Sequence, residues 1–422
     1  MHETEPAPEP VTTPVTTSAT TPAENATTYR SLLRTPEFTP LLLSSAAHTA
    51  AQTMGGLALA TLVYRATESP LLSAVSMFGP SLAQVLGASL FLSGADRLPP
   101  RAALTGLSLA FAATTALLAA PGLPIWSVFA VLLAQGLIAS LGGGVRWGLL
   151  NEILAKDGYL RGRSLFNMMG GTTQIAGFAM GGALVATLSP RICLALSALL
   201  YATAAAGVRL GLTARAPRAA GRPSVAETWR ANALLWSSRP RRTVLLALWV
   251  PNGLVVGCES LFVSYAPESA GTLFACAALG MLAGDVTVGR LLPPGPRTRL
   301  GVPLLVLLAT PYAFFALGPS VPLAGAAAAL ASVGFGASLV QQERLMALTP
   351  DELSGHALGL HSAGMLAFQG VGAALAGSVA QLTTPARAMT VMAVSSLAVT
   401  AVLARGLRTA PVPVGIERRP VS

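Results

Sequence analysis

The stretch 164–188 reads SLFNMMGGTTQIAGFAMGGALVATL. It contains no charged residue, and it is longer than the roughly 20 residues that an α-helix needs to cross the hydrocarbon core of a bilayer. Its five glycines are typical of membrane helices that pack closely against one another. The stretch is therefore predicted to be a membrane-spanning helix with close helical neighbours.

Similar apolar stretches lie before and after it, separated by short breaks that contain Pro, Gly or charged residues. Each is about 20 residues or more in length, as a bilayer requires. The sequence thus predicts an all-α membrane protein with twelve transmembrane helices, at 39–64, 70–93, 102–120, 124–148, 164–188, 192–212, 243–265, 270–292, 300–318, 322–342, 357–381 and 386–407.

The composition of the whole chain supports a membrane protein. Hydrophobic residues make up 53% and charged residues 10%, whereas soluble domains carry about 25% charged residues. The net charge of +10 does not indicate nucleic acid binding, because the basic residues lie between apolar stretches and not on one face of a domain. The single lysine, Lys156, follows Ala155; no Gly-Lys-Ser/Thr phosphate-binding loop exists, so we expect no ATP-driven pump of that type.

Basic residues are distributed unevenly between the two sides of this predicted topology. Twelve spans place both termini on one side, and all but three of the 27 Lys and Arg residues fall on that side. The exceptions are Arg65, Arg191 and Arg387. Because cytoplasmic segments of membrane proteins carry an excess of Lys and Arg, both termini are predicted to be cytoplasmic, in a multi-pass protein of the plasma membrane.

The longest internal break separates the twelve spans into two sets of six. We predict a disordered cytoplasmic tail rich in Thr and Pro (1–38), an N-terminal six-helix bundle (39–212), a basic linker (213–242), a C-terminal six-helix bundle (243–408) and a cytoplasmic C-terminal tail (409–422).

The linker carries seven arginines and a possible short helix. Ser224 and Glu227 have the spacing of a capping box, which is typical of a helix N-terminus. The apolar residues of that helix would share one face: Val225, Trp229, Ala233 and Trp236. Two interpretations stay open, an amphipathic helix on the inner membrane surface and a loosely ordered basic linker.

The two sets of spans are related in sequence. Residues in and beside the fifth span recur 193 residues later in and beside the eleventh, and residues in and beside the fourth recur 191 residues later in and beside the tenth. The first set is Gly162, Leu165, Gly171, Gly177 and Ala183, matched by Gly355, Leu358, Gly364, Gly370 and Ala376; the second is Gly143, Glu152 and Leu154, matched by Gly334, Glu343 and Leu345. Two related bundles enclose a cavity on their common axis, which opens to each side in turn as one bundle rocks against the other. This architecture predicts a carrier.

The break after the second span reads Gly94-Ala-Asp96-Arg97-Leu-Pro-Pro100-Arg101. It resembles the loop signature of the major facilitator superfamily, Gly-x-x-x-Asp-Arg/Lys-x-Gly-Arg-Arg/Lys, although glycine stands two residues before the aspartate instead of four and Pro100 replaces the second glycine. The break after the eighth span, 289–297, echoes it. The resemblance implies the fold of that superfamily, with twelve helices in two pseudo-symmetric six-helix bundles. It also implies that Asp96, Arg97 and Arg101 belong to a cytoplasmic gate.

Two further patterns are similar to motifs of the drug antiporters of this superfamily. Gly177-Phe178-Ala-Met-Gly181-Gly182 resembles their Gly-Pro-x-x-Gly-Gly core, with Phe178 in place of proline. Gln135-Gly136 resembles the end of their Arg-x-x-Gln-Gly motif, with Leu132 in place of the arginine implied in proton coupling. The first pattern favours export. The second weakens that interpretation, because it lacks the arginine.

Two acidic residues lie inside predicted spans and are candidates for proton coupling. A charge in hydrocarbon costs about 2.5–3.5 kcal/mol by insertion measurements, so such residues are functional candidates. Glu259 lies past the middle of the seventh span with no base within one helical turn, and it could load and release a proton. A structural role, protonated and hydrogen-bonded to another helix, is equally open. Asp285 lies about two turns from the cytoplasmic end of the eighth span, near Arg290, and the favoured interpretation there is a structural ion pair.

Further charged residues are predicted to form the cytoplasmic gate. Glu152 and Glu343 end the fourth and tenth spans as repeat partners, and each should form a salt bridge with an arginine of the preceding cytoplasmic loop. Arg290 completes this predicted gate. Solvated helix ends are the competing interpretation.

Polar residues near the middle of their spans are predicted to line the substrate cavity: His48, Gln52, Gln174, Asn252 and Gln369. Each could instead form a hydrogen bond between helices. The cysteines lie singly in apolar segments and the four histidines are scattered, so the sequence predicts no metal site and no cofactor.

These features predict a secondary transporter, not an enzyme, that exports a small, partly apolar organic compound in exchange for protons by alternating access. The partners would be the substrate, protons and the lipid bilayer. An importer or facilitator on the same fold, and a membrane sensor that no longer transports, stay open. A polytopic membrane enzyme would need an Asp-rich metal motif or a His cluster, and the sequence has neither.

Overall fold

The computed structural model describes residues 29–90, 98–154, 156–217 and 225–409. These residues are overwhelmingly helical, as the long apolar stretches predict. The first half contains a short helix and six long ones: α1 (Tyr29–Arg34), α2 (Phe38–Thr67), α3 (Pro70–Leu90), α4 (Pro100–Leu118), α5 (Ile125–Ile153), α6 (Lys156–Thr187) and α7 (Pro190–Gly211).

The second half begins with a linker helix, and several of its spans are built from two or more segments. Its helices are α8 (Val225–Ser237), α9 (Arg239–Ser260), α10 (Phe262–Tyr265), α11 (Ala270–Val286), α12 (Pro294–Arg297), α13 (Gly301–Ala309), α14 (Val321–Val333), α15 (Ala337–Ala347), α16 (Ser354–Leu382) and α17 (Pro385–Thr409). A π-helical turn, Thr287–Leu291, extends α11, a 3₁₀ segment, Thr310–Leu317, extends α13, and a shorter 3₁₀ turn, Gly334–Gly336, joins α14 to α15.

Proline sets many of the helix starts. Pro100, Pro190 and Pro322 each occupy the first turn of a long helix. Proline fits there because its fixed φ suits a helix and the amide hydrogen that it lacks would have no partner in the first turn. The breaks that the sequence marks with proline are therefore the places where the chain turns between helices.

Ten helical stretches in the described residues are long and apolar enough to cross a membrane. Two further helices, α2 with 30 residues and α6 with 32, are long enough but contain more Ser, Thr and Gln. Together they give the twelve predicted spans. Apolar side chains also cover the outer surface, where Leu210 is 86% and Leu382 87% exposed, which suits contact with lipid.

The first six long helices and the last six pack in the same pattern. In the N-terminal set, α2 packs against α6 and α7, α3 against α5, and α4 against α7. In the C-terminal set, α9 packs against α16 and α17, α11 against α14, and the segment 310–317 against α17. The predicted fold class, two pseudo-symmetric six-helix bundles, is confirmed.

The two bundles meet along two symmetric helix pairs, α3 with α16 and α6 with α11. We call the side where α2 begins and α17 ends the terminal face, and the opposite side the distal face. Near the distal face, Gly182 approaches Gly271 at backbone contact, and the Ser69 hydroxyl donates a hydrogen bond of 2.9 Å to Gln381 Oε1. The bundles are thus joined on the distal side.

The start of the described chain corrects one prediction. Residues 29–34 form α1, inside the tail 1–38 that the composition predicts to be disordered. The helix is held because Leu32 is 2% exposed and packs in a cluster that includes Phe38 and Leu41. Residues 1–28 and 410–422 lie outside the described residues, so the remaining tail predictions concern residues beyond them.

The helix predicted in the linker is present as α8. Leu235 is fully buried, and the Trp236 ring stacks on Trp249 of α9 with ring centroids 5.7 Å apart. Trp229, on the face that the pattern predicts to be apolar, is 71% exposed. The helix therefore packs on the C-terminal bundle through Leu235 and Trp236, whereas Trp229 and Ala233 of the predicted face stay exposed; its placement on a membrane surface stays a prediction.

Candidate substrate cavity

A cavity of about 340 Å³ lies between the two bundles. The N-terminal bundle contributes residues of α3 and α6, and the C-terminal bundle contributes α9, α11, α15, α16 and the turn at 335. The lining residues are Phe78, Gln174, Phe178, Asn252, Val256, Glu259, Phe274, Ala277, Ala278, Met281, Asp285, Phe335, Ser338, Met365 and Gln369. The cavity occupies the position on the axis that two related bundles predict.

The lining residues form three levels between the faces. With about 1.5 Å per helical residue, Asp285 of α11 lies nearest the terminal face, Asn252 and Gln369 lie near the middle, and Glu259 lies deepest. Phe274 lines the deep end on the same helix as Asp285; their positions differ by eleven, which corresponds to about 16 Å along the helix axis. The cavity therefore has one carboxylate toward each end.

Glu259 is buried at the deep end, with a relative exposure of 7%. Its Oε1 accepts a hydrogen bond of 3.4 Å from the Ser332 hydroxyl of α14, and its Oε2 has no hydrogen-bond partner among the described residues. The backbone carbonyl of Gly372 lies so close to Gly257 that a side chain there would meet it. This close packing of α9 on α16 fixes the end of α9 that carries Glu259.

Asp285 is exposed at the other end of the cavity and makes no ion pair or hydrogen bond with the described residues. Arg290, its predicted partner, instead directs its Nη2 to the sulfur of Met168 on α6, at 2.9 Å. The favoured interpretation of Asp285 as half of an ion pair with Arg290 is therefore wrong for this structure. Arg290 belongs to the π-helical turn 287–291 that follows α11, and its side chain lies against α6 of the other bundle.

Three of the predicted cavity residues meet in this cavity. Gln369 Nε2 donates a hydrogen bond of 3.2 Å to Asn252 Oδ1, and Gln174 faces them from α6 of the other bundle. Asn252 is 5% exposed. The amides thus line both sides of the cavity at middle depth. The hydrogen bond between Asn252 and Gln369 also joins α9 to α16, which is the alternative role that the sequence allows for these residues.

The other two predicted cavity residues lie elsewhere. The His48 ring packs edge-on against Phe111 and Tyr201, with centroid distances of 5.3 and 4.9 Å. Gln52 lines a smaller cavity of about 100 Å³ inside the N-terminal bundle, together with Gln135. Neither residue lines the cavity between the bundles, and Gln52 is exposed, so these two assignments to the shared cavity are corrected.

The aromatic and thioether lining was missed from the sequence. Phe178 stacks on Phe274 across the two bundles, with centroids 4.7 Å apart, and Phe335, Met281 and Met365 complete the apolar wall. The one available signal was Phe178 itself, which occupies the position of proline in the motif that it resembles. A phenylalanine in an apolar span otherwise fits lipid, core and cavity equally well.

The structure describes some, but not all, of the residues predicted to form the cytoplasmic gate. Asp96 and Arg97 lie outside the described residues. Arg101 donates a hydrogen bond of 2.5 Å from its Nη2 to the carbonyl of Arg209, at the end of α7. That contact joins two helices of the N-terminal bundle and satisfies a carbonyl that the helix leaves without a partner.

The two predicted glutamate pairs also stay within their own halves of the chain. Glu343 accepts a hydrogen bond of 2.5 Å from Arg297, in the loop after α11, and this is the kind of partner that was predicted. Glu152 lies 3.7 Å from the Nε of Arg215, which belongs to the linker and not to the preceding loop. Neither pair bridges the bundles, so their role in a gate stays a prediction.

The chain is similar in structure to solved transporters along nearly its whole length. The nucleoside transporter NupG superposes with a TM-score of 0.70 at 12% identity, covering 88% of this chain and 99% of that one. The chain has the fold of the major facilitator superfamily. A bacterial homologue of the human lysosomal transporter Spinster, inward-facing and unoccupied, gives 0.68 at 12% identity over 89% and 97%. A POT family transporter in complex with 5-aminolevulinic acid gives 0.70 at 11% identity over 89% and 97%.

No model of a protein family matches the sequence, and a search among curated proteins gives no match. At such low identities the structural likeness establishes the fold alone. The resemblance to drug antiporters therefore stays a prediction.

Proposed function

We propose that the chain is a secondary transporter that exports a small, partly apolar organic compound in exchange for protons. The observation that carries this proposal is the cavity between the two bundles, which has Glu259 buried at its deep end and apolar and amide side chains along its walls. A cavity of a few hundred Å³ suits a small molecule. A carboxylate inside a membrane protein is a candidate for proton exchange.

The contacts between the bundles support alternating access. Ser69 with Gln381 and Gly182 with Gly271 join the bundles near the distal face, while Asp285 is exposed at the other end of the cavity. If these contacts break and contacts near the terminal face form, the cavity opens toward the distal face and closes toward the terminal face. The cavity itself stays in place within the membrane. Glu259 would then meet each aqueous phase in turn.

The direction of transport and the location rest on the sequence. The excess of Lys and Arg on the side of the termini supports cytoplasmic termini in the plasma membrane, so Asp285 would lie toward the cytoplasm. The resemblance of 177–182 to the drug antiporter motif supports export. A low content of fixed charge in the cavity argues against phosphates and polyanionic sugars, whose sites usually need Arg or Lys.

The proposal is tested in proteoliposomes that carry the purified full-length chain. The probes are a neutral aromatic compound, chloramphenicol, and a permanently charged one, methylphenylpyridinium. An imposed proton gradient should drive uphill movement of at least one probe, and Glu259→Gln should abolish this movement while leaving the elution volume in detergent unchanged. Glu268→Gln, in the exposed loop before α11, is the charge-matched control and should transport normally.

The outcomes also separate the two other functions that the sequence left open. Uphill transport that is undiminished in Glu259→Gln would remove this residue from the mechanism. Accumulation that collapses, instead of rising, when the gradient is dissipated in cells would indicate a coupled importer. Absence of both uphill transport and counterflow for both probes would contradict the proposal and favour a sensor.

A further inference from the structure

The charged groups in the cavity have one sign. Both ionisable residues of its lining, Glu259 and Asp285, are carboxylates, and the described residues contribute no Lys, Arg or His to it. We propose that the transported compound is a monovalent organic cation with an apolar, aromatic body, and that Asp285 binds its cationic group. This inference rests on the proposed transport function and names the substrate class of the same site.

The Asp285 carboxylate is available to a ligand. It has no ion-pair or hydrogen-bond partner among the described residues, and it is exposed into the cavity. The nearest arginine along its helix, Arg290, is directed to Met168. A cationic nitrogen at Asp285 would therefore form a charge-assisted contact without displacing a protein partner.

The walls beyond Asp285 suit an apolar body. Met281 lies one helical turn deeper on α11, and Phe335 and Met365 face it from neighbouring elements. Aromatic rings attract cations through their faces, and thioethers adapt their shape to irregular ligands. Farther in, the stacked pair Phe178 and Phe274 closes the apolar wall. An anion or a strongly polar compound would leave this surface poorly matched.

The second carboxylate points to a division of roles. Glu259 is 7% exposed, lines the deep end, and leaves its Oε2 without a partner among the described residues. Phe274, which lines the deep end with Glu259, stands eleven positions from Asp285 on α11, about 16 Å at 1.5 Å per residue, so a compact cation at Asp285 does not reach the deep end. One carboxylate can then hold the substrate while the other exchanges a proton.

The amides at middle depth orient the ligand without adding charge. Asn252 and Gln369 already bond to each other, and Gln174 faces them from the other bundle. Their uncharged donors and acceptors tolerate different polar substituents on the ligand body. The cationic group is therefore the feature that the cavity selects.

Binding measurements on the purified full-length chain in detergent test this inference. Isothermal titration compares methylphenylpyridinium, which is permanently charged, with phenylpyridine, which has the same rings and is uncharged at alkaline pH. The wild type should bind the cation at least about tenfold more tightly than the neutral compound, a difference of about 1.4 kcal/mol. Asp285→Asn should remove that preference, and Glu268→Gln should keep it.

Two controls separate a lost site from a lost fold. Asp285→Glu keeps the charge and should retain the preference for the cation. If Asp285→Asn elutes as an aggregate, the two ligands compared on the wild type still test the inference, because equal affinity would overturn it. Equal affinity of the wild type for both compounds, failure of the cation to bind, or an undiminished preference in Asp285→Asn would overturn the inference.

The outcome does not depend on the transport test. Binding is measured without a gradient, so cation binding at Asp285 combined with absence of gradient-driven transport would refute the transport function and leave the cation site. Uphill transport of chloramphenicol combined with equal binding of the two pyridine compounds would refute the cation site and leave the transporter.

Discussion

Gly182 of α6 and Gly271 of α11 meet at backbone contact near the distal face, where a Cβ on either residue would overlap the other glycine. One residue comes from each bundle, so the contact reports directly on how the bundles sit together. Side chains of any size at these positions would push α6 and α11 apart. The arrangement in which the bundles are joined on the distal side therefore depends on these two glycines.

Replacement of Gly182 by alanine should weaken the closure of the distal side. Overpacking of this kind costs about 1–3 kcal/mol. Each 1.4 kcal/mol or so of this cost lowers the population of the joined arrangement, relative to the separated one, by about tenfold. The measurement is crosslinking of cysteines placed at Ser69 and Gln381, which hydrogen-bond across the other symmetric interface. Gly182→Ala should reduce the yield of the short-spacer crosslink.

Gly171→Ala is the matched control, because it lies on the same helix and a Cβ there meets nothing within 4 Å. It should leave the crosslinking yield unchanged. An equal yield in both variants would show that the two helix pairs separate independently, contrary to a rigid-body movement of the bundles.

The stacking of Trp236 on Trp249 should hold α8 against the C-terminal bundle. The rings are nearly parallel, at 10° and 5.7 Å, and the Trp249 Nε1 donates a hydrogen bond of 3.0 Å to the carbonyl of His361. Aromatic pairs contribute about 0.5–1.5 kcal/mol beyond their buried area. Trp236→Ala should therefore increase the rate of tryptic cleavage after Arg230 by severalfold.

Trp229→Ala serves as the control, because Trp229 is 71% exposed on the same helix. In detergent it should not change the cleavage rate. Should Trp229→Ala speed cleavage in liposomes but not in detergent, the predicted placement of that face on the membrane surface gains support. If Trp236→Ala leaves cleavage unchanged in both, the stacked pair does not hold the helix.

Gln341 is a site at which a hydrophobic replacement should stabilise the fold. Its side chain is fully buried, and neither Nε2 nor Oε1 has a hydrogen-bond partner among the described residues. A buried polar group without a partner costs about 1–3 kcal/mol. Gln341→Met, of similar length, should raise the thermal unfolding midpoint in detergent.

The neighbouring Gln342→Met provides the comparison, because Gln342 is only partly buried. It should change the midpoint little. A lower midpoint for Gln341→Met would show that the Gln341 amide has a stabilising hydrogen-bond partner during the measurement. The free-energy cost of burying the amide would then be offset by that partner.

The spans could be predicted because a bilayer imposes a simple rule on length and apolarity, and because proline and charge mark the turns. Gln174, Asn252 and Gln369 were assigned to one cavity on depth alone, and depth follows from counting residues along a helix. The face of a helix does not follow from counting when apolar residues surround it. For this reason the sequence predicts His48 and Gln52 of α2 in the shared cavity, whereas His48 packs against Phe111 and Tyr201 and Gln52 lines the smaller cavity.

Interactions between distant segments were less accessible to sequence reasoning. The pairing of Glu152 with Arg215 depends on the path of the linker, which no local pattern sets. The cavity-lining phenylalanines could not be predicted for another reason. A phenyl ring favours apolar surroundings whether it faces lipid or a cavity, so the sequence does not distinguish the two positions.

The link between Glu37 and Arg215 should make the stability of the chain depend on pH in acid. Arg215 Nη1 lies 2.5 Å from Glu37 Oε2, and the Thr213 hydroxyl donates a hydrogen bond of 2.8 Å to Oε1. Partial burial acts to raise the pKa of Glu37, but the hydrogen bonds from Arg215 and Thr213 outweigh it and hold the pKa below its usual value. Because the folded pKa lies below the unfolded one, the stabilisation is fully present above the unfolded pKa of about 4.3 and is lost as the pH falls through the folded pKa.

Thermal unfolding in detergent at neutral pH should therefore show a lower midpoint for Glu37→Gln than for the wild type, and the difference should shrink as the pH is lowered below about 4.3. Glu68→Gln is the matched control: Glu68 flanks the other end of the same helix, also with a positive φ, and has no ion pair among the described residues. A difference between the wild type and Glu37→Gln that stays constant across the acid range would mean that the carboxylate charge does not stabilise the junction, and that Arg215 is held by Glu152 alone.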